Sequence, residues 1–111
     1  MPEAQPLGEF EHIVLLAILR LGDEAYGVTI RNELQERTGR EPAPGALYTT
    51  LERLEEKGLV SSRLGDPTPQ RGGRAKRYVK VTAVGMEAIN HARHCYLRLW
   101  EGMPFPGVAY G

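Results

Sequence analysis

The chain predicts a mainly α fold with a small β-hairpin wing: a winged helix-turn-helix domain followed by a C-terminal dimerisation helix. Three observations carry this. Between Pro44 and Thr82 the chain orders an amphipathic helix, a glycine stop, a strand, a basic glycine-rich loop and a returning strand. Helical apolar spacing runs before and after that stretch. The positive charge is concentrated in the loop. Residues 1–60 carry 6 basic and 11 acidic side chains, whereas residues 61–80 carry Arg63, Arg71, Arg74, Lys76, Arg77 and Lys80 against Asp66 alone. A neutral chain with one cationic segment points to a local contact with a polyanion.

At 111 residues the chain is expected to form one domain. Residues 1–8 hold two prolines and read as a flexible N-terminal arm, with no secretory signal among them. Residues 9–82 form the winged helix-turn-helix, 83–103 the C-terminal helix and 104–111 a tail. The longest apolar run, Ile13 to Leu19, is too short for a bilayer. One cysteine, Cys95, excludes an intrachain disulfide and makes a cytoplasmic location the expectation.

The first helix is predicted over Glu9–Leu21, with Phe10, Ile13, Val14, Ala17 and Leu21 on one face. Leu15, Leu16, Ile18 and Leu19 widen its apolar surface almost all round. Such a helix packs on two sides, against its own core and against a second subunit. Gly22-Asp23-Glu24 is a turn. The second helix runs from about Tyr26 to Thr38, with Val28, Ile30 and Leu34 inward and Gly39 as its stop. Pro44 suits the first position of the third helix, where Leu47, Leu51 and Leu54 make the buried stripe. Gly58 ends it.

Leu59–Leu64 reads as a strand, Gly65–Ala75 as a loop and Arg77–Val81 as the return strand. Thr82 caps a fourth helix reaching about Met103, stopped by Pro104.

The third helix leaves Gly45, Ala46, Tyr48, Thr49, Thr50 and Arg53 for DNA. Small residues at its start admit a close backbone, and its N-terminal N–H groups favour a phosphate. Thr49 and Thr50 suit base edges, Arg53 a phosphate or guanine, and Tyr48 a backbone oxygen. Glu52, Glu55 and Glu56 are expected to sit away from the phosphates. In the loop, Arg71, Arg74, Lys76 and Arg77 surround Gly72-Gly73 and suit a phosphate ribbon or a minor groove.

These residues resemble the PadR family of bacterial transcriptional regulators. The resemblance lies in Tyr26-Gly27, Gly45-Ala46-Leu47-Tyr48, Leu51, Arg53-Leu54-Glu55 and Gly58-Leu59-Val60. It continues through Gly73-Arg74, Lys76-Arg77-Tyr78 and Val81-Thr82-x-x-Gly85. It implies a dimeric winged-helix repressor, with Tyr48 on the DNA backbone, the wing cations in an adjacent groove and the C-terminal helix in the dimer interface. Thr49 stands where many relatives carry proline, and the wing insert Asp66–Gln70 is longer than usual. With one C-terminal helix, the chain resembles the short form of the family.

In that last helix, Gly85, Ile89, Ala92, Tyr96, Leu99 and Met103 form a near-heptad stripe suited to a partner helix, broadened by Ala88, Cys95 and Trp100. An obligate homodimer is expected. By the resemblance, Tyr96 and Trp100, one turn apart, could line a site for a planar apolar effector; an interface anchor is the other reading of Trp100. His91, His94 and Cys95 share a helix face and include metal-binding side chains, so a metal-sensing repressor is an alternative. Without a further paired donor they more simply read as solvated histidines and a core cysteine.

The leading reading is a DNA-binding repressor of double-stranded operators, released by a small ligand, with no cofactor. A winged-helix module for protein–protein contact is the competing one, supported by the acidic first 60 residues. An enzyme is disfavoured: no histidine accompanies Ser61 or Ser62, and Gly72-Gly73 lies in a hairpin rather than between strand and helix.

Overall fold

The computed structural model describes residues 6–65 and 75–103. Four helices and one hairpin follow in the order α1 (Glu9–Leu21), α2 (Gly27–Thr38), α3 (Pro44–Glu56), β1 (Val60–Leu64), β2 (Arg77–Val81) and α4 (Ala83–Trp100). A single 3-10 turn, Gly22–Glu24, joins the first two helices. Among the described residues, no helix is long and apolar enough to cross a membrane.

The core sits where α1 meets α2, α3 and the hairpin. Val14, Leu15, Ala17 and Ile18 of α1 are buried with Ile30 and Leu34 of α2, Leu47 and Leu54 of α3, and Leu59, Val60 and Val79. Ala88 and Ile89 bring the start of α4 onto the same core. Leu16 and Leu19 stay 40% and 39% exposed, so α1 keeps a partly exposed apolar side.

Local chemistry accounts for the boundaries. Gly39 ends α2 with a positive φ of 77° and donates its N–H to the Gln35 carbonyl. Pro44 occupies the first turn of α3 without losing a needed donor. The Thr82 hydroxyl accepts from the Gly85 N–H at 3.0 Å and donates to the Gly58 carbonyl at 2.6 Å. One side chain thereby caps α4 and ties it to the end of α3. The hairpin is antiparallel, pairing Val60 with Val81 and Leu64 with Arg77. It is docked on the helices by the Val79 N–H, which donates to the Ala25 carbonyl at 2.9 Å.

Four expectations are corrected. Val28 is 52% exposed rather than inward. Ile30 and Leu34 set the buried face of α2, and at 100° per residue Val28 falls about 200° from Ile30. Helix α4 stops at Trp100, before Met103, because Glu101 leaves the helical region and Gly102 turns left-handed at φ 75°. The first strand begins at Val60 rather than Leu59. The arm is not wholly loose: Leu7 packs on the core, and the Gly8 N–H donates to Glu11 Oε1 at 3.0 Å.

Glu11 also receives Lys57 Nζ at 2.8 Å, and its side chain is only 9% exposed. Burial raises its pKa, but the bonds from Lys57 and Gly8 and the charges of Lys57 and Arg53 outweigh that and hold it below the ordinary 4.5. A carboxyl depressed in the folded state stabilises above its unfolded pKa, and that contribution is lost as pH falls through the folded value. Stability is therefore expected to drop below about pH 4.5. In thermal melts, Glu11→Gln should cost about 1–2 kcal/mol at neutral pH and flatten the acid loss. An unchanged acid profile would refute the assignment.

Candidate nucleic-acid interface

The exposed face of α3 begins at its first turn, where Gly45, Ala46, Tyr48 and Thr49 all reach solvent. Tyr48 is 55% exposed, yet its ring is placed. It leans on Gly27, the first residue of α2. A Cβ at Gly27 would lie 2.8 Å from the Tyr48 hydroxyl and 3.1 Å from Cε1. The absent side chain thus lets the tyrosine lie across the N-terminus of α2.

Thr50 does not belong to this face. It is 6% exposed, three residues after Leu47 and four before Leu54, which places it on the buried stripe. Its expected role at base edges is corrected accordingly. Arg53 is exposed but lies on the α1 side of α3, near Glu11.

Glu52 and Glu55 line a groove of about 280 Å³ between α3 and the hairpin, together with Tyr48, Gly27 and Arg77.

The hairpin divides its cations between two faces. Side chains alternate along a strand, so cross-strand partners share a face. Arg63 and Tyr78 are partners, as are Ser61 and Lys80. Arg77 lies with Leu64 on the opposite face. Its Nε donates to Ser62 Oγ at 3.2 Å, and the Ser62 hydroxyl donates to Glu55 Oε2 at 2.9 Å. Arg77 is thus linked back to α3. Arg71, Arg74 and the insert Asp66–Gln70 lie outside the described residues.

On the other face, Lys76 Nζ lies 4.6 Å from the Tyr26 ring centre, and the Arg63 guanidinium 4.6 Å from that of Tyr78. The two rings meet edge to face at 5.4 Å. Interaction with the Tyr26 hydroxyl raises the Lys76 pKa above its ordinary 10.5. Lys76 therefore remains a cation throughout the neutral range. Tyr26, Tyr78 and Arg63 form one cluster that their positions in the sequence do not reveal. The two tyrosines were visible in the motifs, but their meeting across the fold was not.

In α4, Tyr96 and Trp100 are 53% and 46% exposed. The Tyr96 ring stacks on His12 of α1, with ring centres 6.1 Å apart. Cys95 is exposed rather than in the core. Its Sγ lies 3.7 Å from His91 Nε2. Among the described residues, no three potential metal donors converge.

The model of the transcriptional regulator PadR-like family matches residues 15–91. The transcriptional regulator Rv3488 of Mycobacterium tuberculosis is 38% identical over 73 residues, covering 64% of this chain and 62% of its own. The chain thus spans under two-thirds of that relative's length. A crystal structure of a PadR family transcription regulator from Clostridium difficile R20291 shares the fold, with a TM-score of 0.67 at 24% identity. The likeness covers 81% of this chain and 90% of that one. A PadR family regulator from Eggerthella lenta DSM 2243 gives a TM-score of 0.65 at 25% identity, over 85% of this chain and 81% of its own.

Proposed function

We propose, since the chain belongs to the PadR-like family of transcriptional regulators, that it acts as a homodimeric repressor on a roughly palindromic DNA operator. The observation that carries this reading is the juxtaposition of an exposed recognition face on α3 with a cation-bearing hairpin beside it. Gly45, Ala46 and Thr49 enter the major groove and Tyr48 meets the DNA backbone, while Lys76, Arg77 and the loop arginines Arg71 and Arg74 hold phosphates. Arg53 meets the backbone at the far edge of α3. Residues 9–82 are the DNA-binding unit, and α4 is the dimerisation helix.

Dimerisation is supported by the apolar surface that α4 and α1 leave exposed. Tyr96, Leu97, Leu99, Trp100 and Met103 are 46–74% exposed, and Leu16 and Leu19 extend the surface on α1. His12, stacked on Tyr96, shares a helix face with both leucines. Covering the exposed half of each side chain returns on the order of 1 kcal/mol. Two-fold symmetry counts each residue twice. The total is comparable to the roughly 4–15 kcal/mol cost of association. A planar apolar effector entering between Tyr96 and Trp100 of two subunits would change their relative position and release the operator.

Selection of bound DNA from a random pool tests the reading. The expected product is a palindrome whose half-sites are centred about one helical turn apart. Unselective retention of the pool, or none, would overturn it.

A further inference from the structure

Glu52 poses a problem for any DNA-binding reading. It is exposed on α3, four residues after Tyr48 and three after Thr49, and it lines the groove between α3 and the hairpin. Glu55, in the same groove, is occupied by the Ser62 hydroxyl. Glu52 has no hydrogen bond or ion pair among the described residues. A carboxylate so placed repels phosphates on every sequence. That cost is recovered only where the DNA offers it a donor.

We propose that Glu52 is a specificity residue that selects cytosine, accepting from the cytosine N4 amino group in the major groove. This rests on the DNA-binding reading above. In the major groove, guanine presents two acceptors to a side chain, and thymine an acceptor and a methyl group. Both reject a carboxylate. Adenine offers its N6 donor next to the N7 acceptor, so a second carboxylate oxygen meets a lone pair. Cytosine offers a donor with no neighbouring acceptor on its own edge. The predicted order is cytosine, then adenine, then thymine and guanine.

The chemistry gives a directed test. Glu52→Gln keeps the shape and adds an amide donor, which matches the N6–N7 edge of adenine. Random-pool selections should be run with the unaltered protein, Glu52→Gln and Glu52→Ala. The unaltered protein is expected to fix a cytosine in each half-site. Glu52→Gln should replace it by adenine, with a preference change of about ten-fold per half-site. Glu52→Ala should leave that position degenerate. Both variants should bind mixed-sequence DNA more tightly than the parent, because the repulsion is gone.

If the parent enriches a palindrome and both variants retain every base of it, the role of Glu52 is overturned while the DNA reading stands. If the parent enriches no sequence, both fall together.

Discussion

Gly85→Ala is expected to be among the most destabilising single-methyl changes in this chain. Gly85 is buried in the first turn of α4, just after the Thr82 cap. A Cβ there would lie 2.2 Å from the Leu59 carbonyl oxygen and 2.7 Å from Val81 Cγ1. The carbonyl cannot simply retreat, because it accepts the Thr82 N–H at 3.0 Å. Moving it breaks the link between α3, the hairpin and α4. Alanine gains roughly 1 kcal/mol of helix propensity over glycine, but forced overpacking costs about 1–3 kcal/mol or more. Backbone as the clashing partner puts this site at or above the upper end. A net loss of at least about 2 kcal/mol follows, or roughly 10 °C in the melting temperature of a domain this small. Gly45→Ala is the control. A Cβ at Gly45 would meet nothing within 4 Å, so its melting temperature should hold or rise. Equal melting temperatures for Gly85→Ala and the parent would refute the packing argument.

Neutralising Lys76 and Arg77 together, each to glutamine, should cause the largest loss in DNA affinity. A dimer would lose four cations, and each phosphate contact contributes about 0.9 to the log–log salt slope. The slope should fall by up to about 3.6, with an affinity loss on the order of a hundred-fold or more near 0.1 M salt. The loss should be the same on every sequence, since phosphate contacts carry no base information. The single variants separate the two faces of the hairpin. Lys76 rests on the Tyr26 ring and keeps its charge available. Arg77 must first exchange its bond to Ser62. Lys76→Gln is therefore expected to have the greater effect. A salt slope unchanged in the double variant would remove both residues from the interface.

Much of the fold was legible in the residues. Leu47, Leu51 and Leu54 located α3, and Val79 between Tyr78 and Lys80 located the return strand. Gly39 and Thr82 marked helix ends through interactions within four residues. The same local logic misassigned Thr50 and Val28. Thr50 is polar, yet it is buried on the stripe of α3 between Leu47 and Leu54. Val28 is apolar, yet it stays 52% exposed among the described residues. Polarity predicts burial only on average, whereas docking decides it residue by residue.

The candidate site divided in the same way. The exposed start of α3 and the basic loop were readable as types of residue in order. The grouping of Tyr26 with Lys76, Tyr78 and Arg63 was not. The facing of Glu52 into the groove was also hidden.

By itself, the sequence determined the order of elements, their caps and the concentration of charge, because these depend on neighbours one to four residues apart. Tertiary structure alone decided which side of each element meets another. That choice placed Tyr48 over Gly27, put the Leu59 carbonyl against Gly85 and aimed Glu52 at the groove. The first two contacts join residues 21 and 26 positions apart, the third joins faces of separate packed elements, and no local period encodes them.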